Sequence, residues 1–114
     1  MSSEQRNIAD GTLVVRTAKE DGTHMISLCG ELDLANAGTA ETALEASLAE
    51  NASQVVIDMR ELEFIDSTGI ALLVAALSNN DGEEKVRFIP SPAPAVTRVL
   101  ELTGLSERLP LADA

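Results

Sequence analysis

Val55-Val56-Ile57-Asp58-Met59-Arg60-Glu61-Leu62-Glu63-Phe64-Ile65-Asp66-Ser67-Thr68-Gly69-Ile70-Ala71-Leu72-Leu73 passes from a β-branched apolar strand, through a short charged turn, into a strongly apolar helix. A carboxylate, two hydroxyls and a glycine stand just before that helix. Asp and Ser are favoured N-cap residues because their side-chain oxygens accept bonds from the unpaired N–H groups of the first turn. A hydroxyl at that point faces solvent at the positive end of the helix dipole, where added negative charge is tolerated. Taken alone, Asp66, Ser67 and Thr68 need be nothing more than a helix cap.

The flanking sequence has the order of an α/β domain. Leu13-Val14-Val15-Arg16-Thr17 has strand composition, Asp21-Gly22 is turn-prone, and Met25-Ile26-Ser27-Leu28-Cys29 reads as a second strand. Together they predict an antiparallel hairpin. Asn36 is an expected N-cap for a helix running to about Glu50, with Ala37, Ala40, Ala43 or Leu44, and Leu48 on its buried stripe. Gln54 to Met59 carries three consecutive β-branched residues, the pattern of a central strand covered on both faces. The helix from about Thr68 to Leu77 is apolar nearly all round, which predicts burial between other elements.

Asn79-Asn80-Asp81-Gly82 is an expected stop, and Val86-Arg87-Phe88-Ile89 is a further strand. Pro94 suits the first turn of a last helix, and Gly104 suits the left-handed position that ends it. The order β-β-α-β-α-β-α predicts a mixed, mostly parallel sheet of four or five strands with an N-terminal antiparallel hairpin, packed with helices. Residues 1–10 are expected to be a flexible N-terminus, 11–110 the domain, and 111–114 a fraying tail.

Composition narrows the function. The chain has 114 residues, 45% of them hydrophobic, which sets one domain with one core. That core is aliphatic, since Phe64 and Phe88 are the only aromatic residues. A formal net charge of −11 excludes nucleic-acid backbones and anionic lipid as partners and suits a protein with a basic face. Cys29 is the single cysteine, read as a small apolar strand residue. No apolar run approaches the roughly 20 residues of a membrane span, and the N-terminus lacks a signal-peptide core. The expected location is the cytoplasm.

Catalysis finds no support. The turn reads I-D-S-T-G rather than G-x-S-x-G, and the only histidine, His24, lies in the second expected strand. No G-x-x-x-x-G-K loop is present. Asp33, Asp58 and Asp66 could form a hard-cation site resembling that of receiver domains, but the strand Val86–Ile89 is not followed by the lysine such sites keep. No metal and no cofactor is expected.

The D-S-T-G turn, preceded by Phe64-Ile65 and followed by Ile70-Ala71-Leu72-Leu73, resembles the signature of STAS domains, specifically the bacterial anti-sigma factor antagonists. Gly30-Glu31-Leu32-Asp33 resembles that family's G-E-L-D segment, Val55-Val56-Ile57-Asp58 its strand before the signature, and Val99-Leu100-Glu101-Leu102-Thr103-Gly104-Leu105 its closing helix. The four blocks span roughly Leu13 to Leu109. The resemblance implies a binding module that, unphosphorylated, captures an anti-sigma factor that is itself a protein kinase, and so frees a sigma factor. It implies Ser67 as the phosphate acceptor, with a separate phosphatase restoring the hydroxyl and ATP belonging to the kinase. It further implies Asp66 and Thr68 as flanking partner contacts, Gly69 as a position kept free of a side chain where the partner approaches, and Asp33 as a second contact from a neighbouring loop. Two other expectations compete: a STAS module of another signalling or transporter-associated assembly, and a small domain holding an anion or nucleotide at the Ser67 helix terminus.

Overall fold

The computed structural model describes residues 4–80 and 85–112. A mixed sheet carries three helices on one face. Its strands are β1 (Glu4–Asp10), β2 (Leu13–Glu20), β3 (Thr23–Leu32), β4 (Gln54–Asp58), β5 (Leu62–Ile65) and β6 (Val86–Ile89). The helices are α1 (Ala37–Ala49), α2 (Ser67–Leu77) and α3 (Pro94–Leu102). The order is β1-β2-β3-β4-β6, with β5 also paired to β3. The pairs β1–β2 and β2–β3 are antiparallel; β3–β4, β3–β5 and β4–β6 are parallel.

The sheet therefore has six strands rather than four or five. One addition is β1, which lies where a flexible terminus was expected and pairs along its whole length, from Glu4 opposite Lys19 to Asp10 opposite Leu13. The other is β5. After Asp58 the chain loops out through Met59-Arg60-Glu61 and returns beside the second half of β3, so one strand edge serves two partners. Gly30 makes this possible. It sits at the register shift with φ +105, and a Cβ there would stand 2.1 Å from the Thr12 carbonyl oxygen. Only glycine combines that backbone with that approach.

Side-chain alternation defines the core face. Leu13 and Val15, Ile26 and Leu28, Val55 and Ile57, and Val86 and Phe88 join one cluster with Ala37, Ala40 and Leu44 of α1, Leu72, Leu73 and Ala76 of α2, and Val96 and Leu100 of α3. Ser47 joins the buried side of α1, and Leu48, half-buried, packs against the same core as expected. His24 lies on the core face at the start of β3, 8% exposed. The opposite face carries Val14, Met25, Cys29 and Val56, and none of the three helices described packs over it. Burial is the first cause that raises the Cys29 thiol above its ordinary pKa, and the Glu61 charge adds to it.

Two local features end the fold. Gly104, at φ +77, stops α3 as expected, its N–H donating to the Glu101 carbonyl, and Leu105 buries beyond it. The expected tail is ordered at its start. The Phe88 N–H donates to the Pro110 carbonyl and the Ala112 N–H to the Phe88 carbonyl, so residues 110–112 cover the free edge of β6. Of the expected stop after α2, Asn80 anchors the start of β6 through two bonds to Val86. Asp81 and Gly82 lie outside the described residues, as do Asp113 and Ala114.

Candidate functional site

At the C-terminal ends of β3 and β5 two loops meet. One carries Asp33 into α1 and the other carries Asp66 into α2. Asp66 is the N-cap of α2 with an extended backbone, and its Oδ1 accepts from the N–H groups of Thr68 at 2.9 Å and Gly69 at 3.0 Å. Its Oδ2 accepts from the backbone N–H of Leu34 at 3.1 Å, and its own N–H donates to the Leu32 carbonyl at 3.2 Å. The capping carboxylate thus ties the two loops together.

The Asp33 loop is built from its own polar side chains. Asn36, 2% exposed, accepts from the Asp33 N–H at 2.9 Å and donates through Nδ2 to the Glu31 carbonyl at 3.0 Å. Asp33 Oδ1 accepts from the Ala35 N–H at 3.0 Å. Asn36 starts α1 as expected, yet makes no side-chain bond to the helix. Its amide braces the turn that precedes it.

Ser67 is the first residue of α2 and is exposed; Thr68 is half-buried. Beside them the outward face of α2 carries Ala71, Val74 (43% exposed) and Ala75, and Leu34 stands 77% exposed on the neighbouring loop. Leu34, Ala37 and Gly38 line one side of an open groove of about 300 Å³, with Thr68, Ala71 and Ala75 on the other. The apolar outward face corrects the expectation of a fully buried α2. A helix that is apolar all round but packed on one side leaves an unpartnered apolar surface.

Gly69 has a different role from the one its motif position implied. It is buried, and a Cβ on it would stand 2.5 Å from Ile65 Cγ1 and 3.0 Å from Leu32 Cδ2 and Cγ. The glycine lets the first turn of α2 lie against β3 and β5. It does not keep the outer surface clear.

The third aspartate is elsewhere in function. Asp58 ends β4 and receives the Arg60 fork, Nε at 3.0 Å and Nη2 at 2.8 Å, together with the Arg60 backbone N–H at 3.0 Å. Burial by itself would raise this carboxyl, but the Arg60 donors and charge outweigh it and hold its pKa below the ordinary aspartate value. Among the described residues no group of three or more His, Cys, Asp and Glu side chains could hold a metal ion. His24 is at the opposite end of β3 from Asp33, with no part in the Ser67 turn.

The STAS domain profile matches residues 14–114. This chain belongs to the STAS domain family. It is 30% identical over 99 residues to the anti-sigma-F factor antagonist RsfB of Mycobacterium tuberculosis, covering 87% of this chain and 80% of that one. An anti-sigma factor antagonist from Mycobacterium paratuberculosis superposes with a TM-score of 0.74 at 27% identity, over 99% of this STAS chain and 87% of its own. The phosphorylated form of the Bacillus cell fate determinant SpoIIAA shares the fold, with a TM-score of 0.60 at 19% identity over 96% and 92% of the two chains. No helix among the described residues of this STAS domain is long and apolar enough to cross a membrane. Of the residues that sequence pointed to, the structure brings Asp66, Ser67 and Thr68 together on the exposed cap and places Asp33 on the loop tied to it. Sequence reading missed Leu34, whose only signal was a large apolar side chain between Asp33 and Asn36 in a short loop.

Proposed function

We propose that this chain is an anti-sigma factor antagonist, a binding module rather than an enzyme, working in the cytoplasm. Its docking surface is the cap and outward face of α2 together with the Leu34 loop. The observation that carries the reading is Ser67, exposed at the first position of a helix whose outer face is apolar and flanked by an exposed leucine. Such a surface suits a protein partner. The hydroxyl at its rim is open to modification.

The partner is an anti-sigma factor with serine kinase activity, which brings its own ATP and phosphorylates Ser67; a phosphatase reverses the step. Phosphate adds about −1.5 to −2 charges and three acceptor oxygens. Thr68 and Gly69 already give their N–H groups to Asp66, so these do not neutralise the new charge. The phosphate is therefore left beside a carboxylate at a surface that must be desolvated on docking. The occupied donors also disfavour a bound anion or nucleotide at this terminus, since such a site requires free N–H groups. The net charge of −11 complements a basic partner face.

Incubation with the partner kinase and ATP, followed by mass spectrometry, should place phosphate on Ser67. Titration should then show the unmodified protein binding the anti-sigma factor and the phosphorylated protein failing to. Equal affinity of the two forms, or labelling on Thr68 instead, overturns the reading.

A further inference from the structure

The two edges of the sheet are finished differently. Residues 110–112 cover the edge of β6, whereas no described residue pairs with the outer edge of β1. β1 also lacks the devices that blunt an exposed edge. It runs seven residues in unbroken register with β2 and contains no proline, no lysine and no bulge. Gln5 to Ala9 are all exposed, and at their centre Ile8 keeps 41% of its surface in solvent.

The turns fix which backbone groups face outward. Gly11, at φ +61, and Thr12 form a two-residue turn closed by Asp10 and Leu13. Asp21 and Gly22, both at positive φ, form another closed by Glu20 and Thr23. Residues closing such turns exchange both backbone bonds, and the bonding then alternates along each strand. Leu13, Val15, Thr17 and Lys19 therefore bond to β1, while Val14, Arg16, Ala18 and Glu20 bond to β3. Both turns give the same assignment. On β1 it leaves the N–H and C=O groups of Gln5, Asn7 and Ala9 pointing away from the sheet.

We propose that β1 pairs antiparallel with β1 of a second copy of this chain, about a two-fold axis through Ile8. In a regular ladder, paired residues share one face and one bonding type, so a two-fold axis must pass through a residue. Three such registers pair five or more residues of the strand. Centred on Arg6, the pairing sets one guanidinium against another. Centred on Asn7, it sets Arg6 against Ile8 and joins no opposite charges. Centred on Ile8, it sets Ile8 against Ile8, Asn7 against Ala9, and Arg6 against Asp10 twice over. The outward groups of Asn7 and Ala9 then bond each other, and the exposed isoleucine gains an apolar partner. Arg6 makes no ion pair with a described side chain, and Asp10 gives only Oδ2 to Thr39, so both charges have capacity for the contact.

The net charge of −11 does not sit at this edge. β1 and β2 together hold three acidic residues, Glu4, Asp10 and Glu20, and three basic ones, Arg6, Arg16 and Lys19. At physiological salt, charges more than about 8 Å apart are largely screened, so the neutral ribbon governs the encounter. No residue of β1 lines the groove beside Ser67, and the pairing uses a surface separate from the one proposed above for docking.

Sedimentation equilibrium of the full chain should show a concentration-dependent rise from 12.0 kDa to twice that mass. Asn7→Pro removes an outward N–H and leaves the β2 ladder intact, so that protein should fold and stay monomeric. Arg6→Asp should weaken the dimer about tenfold or more, and adding Asp10→Arg should recover most of the loss. In a Cys29→Ser background, Ile8→Cys should oxidise to an intermolecular disulfide far faster than Asn7→Cys. Residues opposite one another at such a position stand about 4.5 Å apart at Cα, within disulfide reach. The cross-linking and the charge reversal decide the matter should the proline variant fail to fold. A monomer at millimolar concentration overturns the proposal. So does a dimer that survives in folded Asn7→Pro, faster cross-linking through Asn7→Cys, or a reversed pair that binds no better than Arg6→Asp alone.

Discussion

The backbone N–H of Leu34 donates to Asp66 Oδ2, fixing the loop before α1 to the cap of α2. The other oxygen of the same carboxylate closes the first turn of α2. One side chain therefore sets both the direction of Ser67 and the place of the exposed Leu34 beside it. In this STAS domain the aspartate of the D-S-T-G turn shapes the surface around Ser67, the one proposed above for docking.

Asp66→Ala should cost about 1–2 kcal/mol in urea unfolding, in keeping with loss of an N-cap. Asp66→Asn keeps one capping oxygen but turns the Leu34 acceptor into a donor in one orientation, or loses the cap in the other. Its stability loss should be smaller than that of the alanine variant. Amide exchange at Leu34 should accelerate in both. Unchanged exchange there means the bond between the loops contributes nothing in solution.

Gly69→Ala sets two effects of opposite sign against each other. Helix propensity favours alanine by about 1 kcal/mol. Against that, the new methyl would stand 2.5 Å from Ile65 Cγ1 and 3.0 Å from Leu32, in a packed interior. Overpacking of this kind costs about 1–3 kcal/mol. The clash should win, with a lowered melting temperature and reduced partner affinity through distortion of α2. A variant as stable as the parent would show that Ile65 and Leu32 move aside freely.

The ion pair of Asp58 and Arg60 predicts a pH dependence. The folded pKa of Asp58 is depressed by the Arg60 donors despite its burial. A depressed carboxylate contributes stability that is fully present above the unfolded pKa and lost as pH falls through the folded one. The difference between the parent and Asp58→Asn should therefore be constant near neutral pH and shrink below about pH 4. Urea unfolding of both proteins at pH 7 and pH 3 measures it. A difference that grows on acidification contradicts the assignment.

The sequence made the site easier to read than the strands around it. Asp66, Ser67 and Gly69 stand out because a capping carboxylate, a hydroxyl and a glycine between apolar runs form a local pattern. By contrast, β1 reads Glu4-Gln5-Arg6-Asn7-Ile8-Ala9-Asp10. An edge strand paired on one side and largely exposed on both faces needs no apolar alternation, so it carried no signal. In β5 the burial runs buried, exposed, exposed, buried through Leu62, Glu63, Phe64 and Ile65, which hides a four-residue strand. The role of Gly69 was hidden for another reason: the atoms that exclude a Cβ lie on β3 and β5, and only the folded structure brings them there.

Phosphorylation should leave the fold intact. Negative charge at a helix N-terminus contributes about 0.3–1 kcal/mol, and here Asp66 already supplies a carboxylate, so a further charge at Ser67 should add little in either direction. Ser67→Asp should melt within a few degrees of the parent and bind the anti-sigma factor far more weakly. Added salt should restore part of that binding where repulsion dominates and little where exclusion does. A large drop in melting temperature on phosphorylation means the switch works by unfolding.

Leu34 supplies the sharpest separation of docking from stability. At 77% exposure its side chain contributes almost nothing to the core, so Leu34→Ala should change unfolding free energy by no more than about 0.5 kcal/mol. The backbone bond to Asp66 survives the change, since it uses only the Leu34 N–H. A leucine that becomes buried on binding contributes about 1.5–3 kcal/mol, so partner affinity should fall by roughly tenfold or more. Val74→Asp, on the outward face of α2, should act in the same direction more strongly, because docking would then bury a charge. Calorimetric titration against the anti-sigma factor, alongside urea unfolding of each variant, reads both quantities. Full affinity in both folded variants would place the partner on another surface, and the apolar face beside Ser67 would then need a different explanation.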